Sequence, residues 1–119
     1  MLIFPLKKEW YEKIKSGEKT IEYREVKPYW TKRLLRAEYS DYCAAQHVYK
    51  KHFIHGSKKY FVFERYEAPC FFRLGYTKER LDAWITKIEV VDGKDTDLHI
   101  DKPVYAIHFK DVRRVPYPR

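Results

Sequence analysis

Gly17-Glu18-Lys19-Thr20-Ile21-Glu22-Tyr23-Arg24 is the stretch on which the reading of this chain turns. Just upstream, Trp10, Tyr11 and Ile14 share one side of a helical wheel, with Lys8, Glu9, Glu12, Lys13 and Lys15 left to solvent; this spacing predicts a helix over residues 7–16. Glycine at position 17 suits the end of that helix, because it enters a left-handed turn without a Cβ clash. Strand-like alternation follows and predicts a strand over Lys19–Val26, closed by Lys27-Pro28. Successive strand side chains point to opposite faces, so Thr20, Glu22 and Arg24 share one face, while Ile21 and Tyr23 share the other and can enter a core. Lys19 falls on the Ile21 side by this parity. It joins Glu22 and Arg24 only where the strand start is bulged or not yet regular.

Working outward, Leu2-Ile3-Phe4 reads as a first strand stopped by Pro5, and Thr31 as the cap of a second short helix through Leu34, Leu35 and Ala37. Residues 38–58 read as an irregular or helical insertion: Ala44, Ala45, Val48, Tyr49 and Phe53 have some helical spacing between loop-like segments. From residue 59 onward the pattern is β, over Tyr60–Glu64, Pro69–Gly75, Ala83–Val91 and Val104–Phe109, with a turn at Asp92-Gly93. Helices do not alternate with these strands, which excludes a doubly wound sheet. The expected fold is α+β: a single domain over residues 1–119, built as a small mixed β-barrel of about six strands with one or two N-terminal helices.

Composition bounds the function. A chain of 119 residues can bury one core without disulfide help. Its formal charge of +8 is uneven: residues 1–66 hold 15 Lys or Arg against 8 Asp or Glu, and residues 67–119 hold 10 against 9. A basic half beside a nearly neutral half predicts an electropositive face, the footprint of a phosphate-bearing partner. Lys50, Lys51, Lys58 and Lys59 interleave with Tyr49, His52, Phe53, Tyr60 and Phe61, a mixture able to hold a phosphate backbone while stacking unpaired bases. Cys43 and Cys70 form neither a metal spacing nor a disulfide framework, and His47, His52 and His55 have no cysteine at ligand spacing. No metal and no cofactor are therefore expected. No apolar run approaches a membrane span, and Met1-Leu2-Ile3-Phe4-Pro5 is too short for a signal peptide, so a cytoplasmic protein without membrane contact is expected.

The form G-x-K-x-x-E-x-R after a helix resembles the signature of the ASCH domains, small members of the PUA-like superfamily. The likeness is most specific over residues 7–26. It continues more loosely in Trp84–Val91 and in Tyr105-Ala106-Ile107-His108-Phe109, and residues 38–58 have no counterpart. The resemblance implies a PUA-like barrel that binds RNA or a nucleotide in a cleft lined by the signature residues. Some members are hydrolases. One branch removes the acetyl group from acetylated cytidine with a threonine nucleophile where this chain has Glu22, beside a lysine at the position of Lys19; another member cleaves RNA. Thr20 stands two residues too early to replace that threonine, and a carboxylate is a poor nucleophile toward an amide. The branch also uses a later glutamate, for which Glu64, Glu67, Glu79 and Glu89 are all available.

The site residues follow from both lines. Lys19 and Arg24 would contact phosphate or carbonyl oxygens, Glu22 would accept from an exocyclic amine, and Thr20, Lys50, Lys51, Lys58 and Lys59 would extend the binding surface. In the hydrolase alternative Lys19 and Glu22 are the catalytic pair, Lys19 as electrophilic stabiliser and Glu22 orienting water. The plainer reading of the same cluster is a solvated ion pair worth under about 1 kcal/mol.

Overall fold

A computed structural model of the protein describes residues 2–38, 50–55, 58–63 and 66–115, with side chains described over 2–34 and 66–114. The order is β1 (Leu2–Leu6), α1 (Lys8–Lys15), β2 (Ile21–Glu25), α2 (Pro28–Glu38), β3 (Lys50–His55), β4 (Lys58–Phe63), β5 (Ala68–Leu74), β6 (Arg80–Asp92) and β7 (Pro103–Val115). Five strands form one sheet in the order β1-β5-β6-β7-β2; β3 and β4 form a separate hairpin. The sheet is mixed, with β1 parallel to β5 and every other pair antiparallel. Register shifts between β6 and β7, at Asp82/Trp84 and Ile85/Lys87, bend these two 13-residue strands. The sheet curls into a half-barrel with β1 and β2 as its free edges.

The two helices cover the concave side. Tyr11 and Ile14 of α1 and Trp30 and Leu34 of α2 are buried against Phe4, Phe72, Ile85, Ile88, Ile107 and Phe109. Phe72 stacks on Phe4 at 5.7 Å and meets Phe109 at 4.6 Å, and Phe4 stacks in turn on Trp30 at 5.2 Å. This aromatic column joins α2 to the middle of the sheet and anchors the wall of the site. Gly17 ends α1 at φ 86°, as its position suggests. No helix among the described residues is long and apolar enough to cross a membrane.

Three expectations need correction. Part of the segment expected as an irregular or helical insertion, residues 38–58, is β: Lys50–His55 pairs with Lys58–Phe63 in antiparallel register. The β-favouring residues Phe53, Ile54, Tyr60, Phe61, Val62 and Phe63 there outweigh the weak helical spacing, which rested mostly on residues 39–49, outside those described. Thr31 is not a cap, since α2 begins three residues earlier at Pro28, a residue suited to the first helical turn. Its hydroxyl instead meets the hydroxyl of Tyr105 on β7. The third correction is the most consequential. Glu22 is the buried residue of its strand at 4% exposure, while Ile21 and Tyr23 are only half-buried. The inward face of β2 therefore carries charge, because at this open edge it looks into a seam between β2 and β1, at the Phe4–Trp30 end of the aromatic column.

Candidate functional site

Lys19 reaches the site because it is not yet in the strand. Its N–H donates to the Lys13 carbonyl at 3.0 Å, which keeps it in the turn that ends α1 and outside strand parity. Regular pairing begins at Ile21, opposite His108. From that turn the Lys19 ammonium lies 3.2 Å from Glu22 Oε1. Arg24, two residues along β2, donates from Nη2 to Glu22 Oε2 at 2.7 Å. The three side chains converge, with side-chain exposures of only 11% for Lys19 and 19% for Arg24 beside buried Glu22, so this is not the solvated surface pair of the plainer reading. A lone buried carboxylate would cost several kcal/mol, and two flanking cations offset that cost.

Arg24 also closes the seam. Its Nη2 donates to the carbonyl of Pro5 at 3.0 Å, tying the β2 edge to the β1 edge where no backbone ladder exists. Its guanidinium packs 4.9 Å from the Trp30 ring centre and 5.4 Å from that of Phe4. The donors on Nε and Nη1 make no hydrogen bond among the described residues, and Nε is fully buried. Lys19 packs likewise against Trp10 at 4.7 Å and Tyr23 at 5.4 Å. Such contacts hold each cation in place at about 0.5–2 kcal/mol.

Beside this cluster opens a cleft of about 560 Å³, with Trp10, Tyr23, Trp30, Leu98 and Ile100 among its walls and the exposed Lys7 and Lys27 also lining it. That size suits a small ligand or one nucleotide. Asp97 completes the charged set: its Oδ2 lies 2.6 Å from the Lys19 ammonium. It comes from the β6–β7 connection, which folds back around Gly93. Gly93 donates to the Lys102 carbonyl at 2.8 Å, and its own carbonyl accepts from Ile100 N–H at 3.2 Å and the Thr96 hydroxyl at 2.9 Å. Thr96 is buried and accepts from Leu98 N–H at 3.2 Å, which fixes the backbone on either side of Asp97.

A smaller hollow of about 300 Å³ lies along Ile21, Tyr23, Glu89 and His108. Here His108 Nε2 meets Glu89 Oε2 at 2.8 Å, and Lys87 meets Oε1 at 3.1 Å. Burial pushes the Glu89 pKa up, but hydrogen bonds from Lys87 and His108 outweigh it, and the net shift is downward. Its stabilisation is therefore fully present above the ordinary carboxylate pKa of about 4.3 and is lost as pH falls through the lower folded value. Glu89→Gln should lower stability at pH 7 by less than about 1 kcal/mol. The difference from the parent should vanish in thermal melts taken progressively below that range. Cys70 is buried, and burial, with Asp82 and Glu22 nearby, pushes its thiol up to about 12, which leaves it inert at neutral pH.

Lys19, Glu22 and Arg24, expected together, are together. Thr20 is exposed and does not line the cleft. Lys50 and Lys51 pair with Phe63 and Val62 at one end of the strand pair, and Lys58 and Lys59 pair with His55 and Ile54 at the other. The two lysine pairs are thus spaced three to five residues apart along the hairpin, roughly 10–17 Å, and do not form one tight cluster. Of the later carboxylates weighed as partners for Lys19, Glu67, Glu79 and Glu89 do not line the cleft, and Glu64 lies outside the described residues. Asp97 holds that place, and sequence reasoning missed it. Its one signal is a cluster of Asp, Gly and Thr at the turn between two long strands. Trp30, Lys7 and Lys27 were also missed as cleft residues, since nothing in their spacing links them to residues 19–24.

Among the described residues no group of His, Cys, Asp and Glu is arranged to hold a metal ion. Comparison with protein-family models, curated proteins and solved structures yields no match.

Proposed function

We propose that this chain is a PUA-like domain of the ASCH type that binds RNA or a nucleotide, taking one base into the cleft. The observation that carries this reading is the joint presence of aromatic walls, a buried Lys19–Glu22–Arg24 cluster, and unpartnered donors on Arg24. A base entering the cleft would lie along Trp10 beside the Lys19 ammonium, which is 4.7 Å from that ring. Arg24 Nη1 would donate to a base carbonyl, while Lys7 and Lys27 would meet the backbone phosphates. Glu22 accepts from Lys19, Arg24 and the Tyr23 N–H, so its main role is to hold the cations in place rather than to bind an amine directly.

Fluorescence anisotropy with a short single-stranded RNA at low salt tests the reading. Trp10→Ala should weaken binding about 5- to 150-fold, the equivalent of one lost stacking contact of roughly 1–3 kcal/mol. Lys7→Ala and Lys27→Ala should each flatten the salt dependence by about one unit of slope. No binding at low salt, or full affinity in a folded Trp10→Ala protein, would remove the proposal.

One observation favours a second reading, a small metal-independent hydrolase acting on a modified nucleoside or on RNA: Lys19 stands between two carboxylates. Asp97, the more exposed of them at 27%, suits water activation better than buried Glu22, and Lys19 would stabilise a developing oxyanion. Incubation with acetylated cytidine and with a labelled RNA, each beside Lys19→Ala, separates enzyme from binder. Turnover that disappears in the variant favours the hydrolase, and no turnover of either substrate retires it for those substrates.

A further inference from the structure

Asp97 sets the charge of the cleft from outside the helix–strand signature. Its carboxylate lies closer to Lys19, at 2.6 Å, than Glu22 does, at 3.2 Å. With Arg24 on the far side of Glu22, the centre of the site holds two positive and two negative charges, and Lys19 already serves both carboxylates. A phosphate placed there would find Lys19 engaged and would face Asp97 at close range, a like-charge contact that disfavours it. The rim is different. Lys7 and Lys27 are exposed and make no ion pair among the described residues. Arg24 retains a donor on Nη1 that an acceptor oxygen can use without displacing any partner among the described residues.

We infer that Asp97 is a specificity-determining residue: it makes the centre of the cleft accept an uncharged planar group bearing a carbonyl oxygen, of the nucleobase kind, and confines phosphate to the rim at Lys7 and Lys27. Naming the uncharged group a base rests on the RNA or nucleotide reading above; the exclusion of anions does not. A cleft of about 560 Å³ has room for both parts of one nucleotide, ring inside and phosphate outside. Without the Asp97 charge, the Lys19 ammonium would gain a free donor, and the same hollow would become an anion site.

Isothermal titration with inorganic pyrophosphate and, separately, with cytidine tests this on the full chain. Asp97→Asn keeps the shape of the side chain and removes its charge. It should raise pyrophosphate affinity tenfold or more while changing cytidine affinity less than threefold, and Lys19→Ala in the same background should abolish the gain. Asp97→Ala should reproduce the pyrophosphate result, with thermal melts confirming that each variant is folded. Unchanged pyrophosphate affinity in both Asp97 variants overturns the inference, as does a gain that survives removal of Lys19. A gain accompanied by no cytidine binding in either protein upholds the anion exclusion and sinks the base as occupant, so the two ideas fail separately.

Discussion

Replacing Glu22 by alanine should lower the melting temperature by roughly 10–20 °C, because it leaves the buried Arg24 guanidinium with no carboxylate and Lys19 with Asp97 alone. Breaking a buried pair by deleting one partner costs about 3–5 kcal/mol, and for a domain of this size each kcal/mol moves the midpoint by roughly 3–5 °C. Glu22 is the only group bridging Lys19 and Arg24 among the described residues; Asp97 reaches Lys19 alone. Arg24 would keep only the Pro5 carbonyl, and the seam between β1 and β2 would loosen. Two further variants isolate the cause. Glu22→Gln retains an acceptor oxygen and should cost less than alanine. The double change Glu22→Leu with Arg24→Met removes charge from both sides and should cost less than the single alanine, since the Arg24 cation is gone and Lys19 keeps Asp97. Differential scanning calorimetry measures all three. A loss below about 1 kcal/mol for Glu22→Ala would mean that the cluster behaves as a solvated surface pair, and the cleft as described would not survive that result.

The second large effect is expected at Gly93→Ala. A Cβ built there would lie 2.6 Å from the carbonyl oxygens of both Ile100 and Lys102 and 2.8 Å from Ile100 Cγ1. Both carbonyls belong to residues held by Gly93 itself, Lys102 accepting from the Gly93 N–H and Ile100 donating its own N–H to the Gly93 carbonyl, so relief requires the whole connection to move. Overpacking costs about 1–3 kcal/mol when side chains can adjust, and this site belongs at the upper end. The consequence for function is more telling than the stability loss. Moving the 93–102 connection carries Asp97 away from Lys19, so Gly93→Ala should raise pyrophosphate affinity in the manner of Asp97→Asn, although residue 93 makes no contact with the cleft. A protein destabilised at this position but unchanged toward pyrophosphate would show that Asp97 keeps its place without the loop geometry.

Local pattern carried much of the architecture. The helix at Lys8–Lys15, its stop at Gly17 and the strands at Leu2–Leu6, Ala68–Leu74, Arg80–Asp92 and Pro103–Val115 all correspond to segments whose periodicity or turn residues marked them. Boundaries moved where pairing partners extend a strand. β1 runs past Pro5, its expected stop, to Leu6 opposite Leu74, as proline is tolerated on this edge strand. Arg80 and Val115 lie opposite each other at the ends of β6 and β7, beyond the apolar alternation that suggested each. The hairpin at 50–63 was half-hidden because its strands mix lysine and histidine with aromatics, a composition that also suits a solvated loop. The grouping of Lys19, Glu22 and Arg24 was legible from spacing once the strand start was allowed to be irregular. Their burial was not, because parity says which residues share a face and is silent on which face turns inward.

Sequence alone determined the helix-to-strand handover at Gly17 and the charged trio that follows it, since both depend on bonds and spacings within a few residues. Tertiary structure decided everything that crosses the seam: Arg24 reaching Pro5 across 19 positions, Asp97 reaching Lys19 across 78, and Trp30 walling the space between. Such contacts arise from how a curled sheet brings its free edges together, and no local periodicity encodes the distance between two edges.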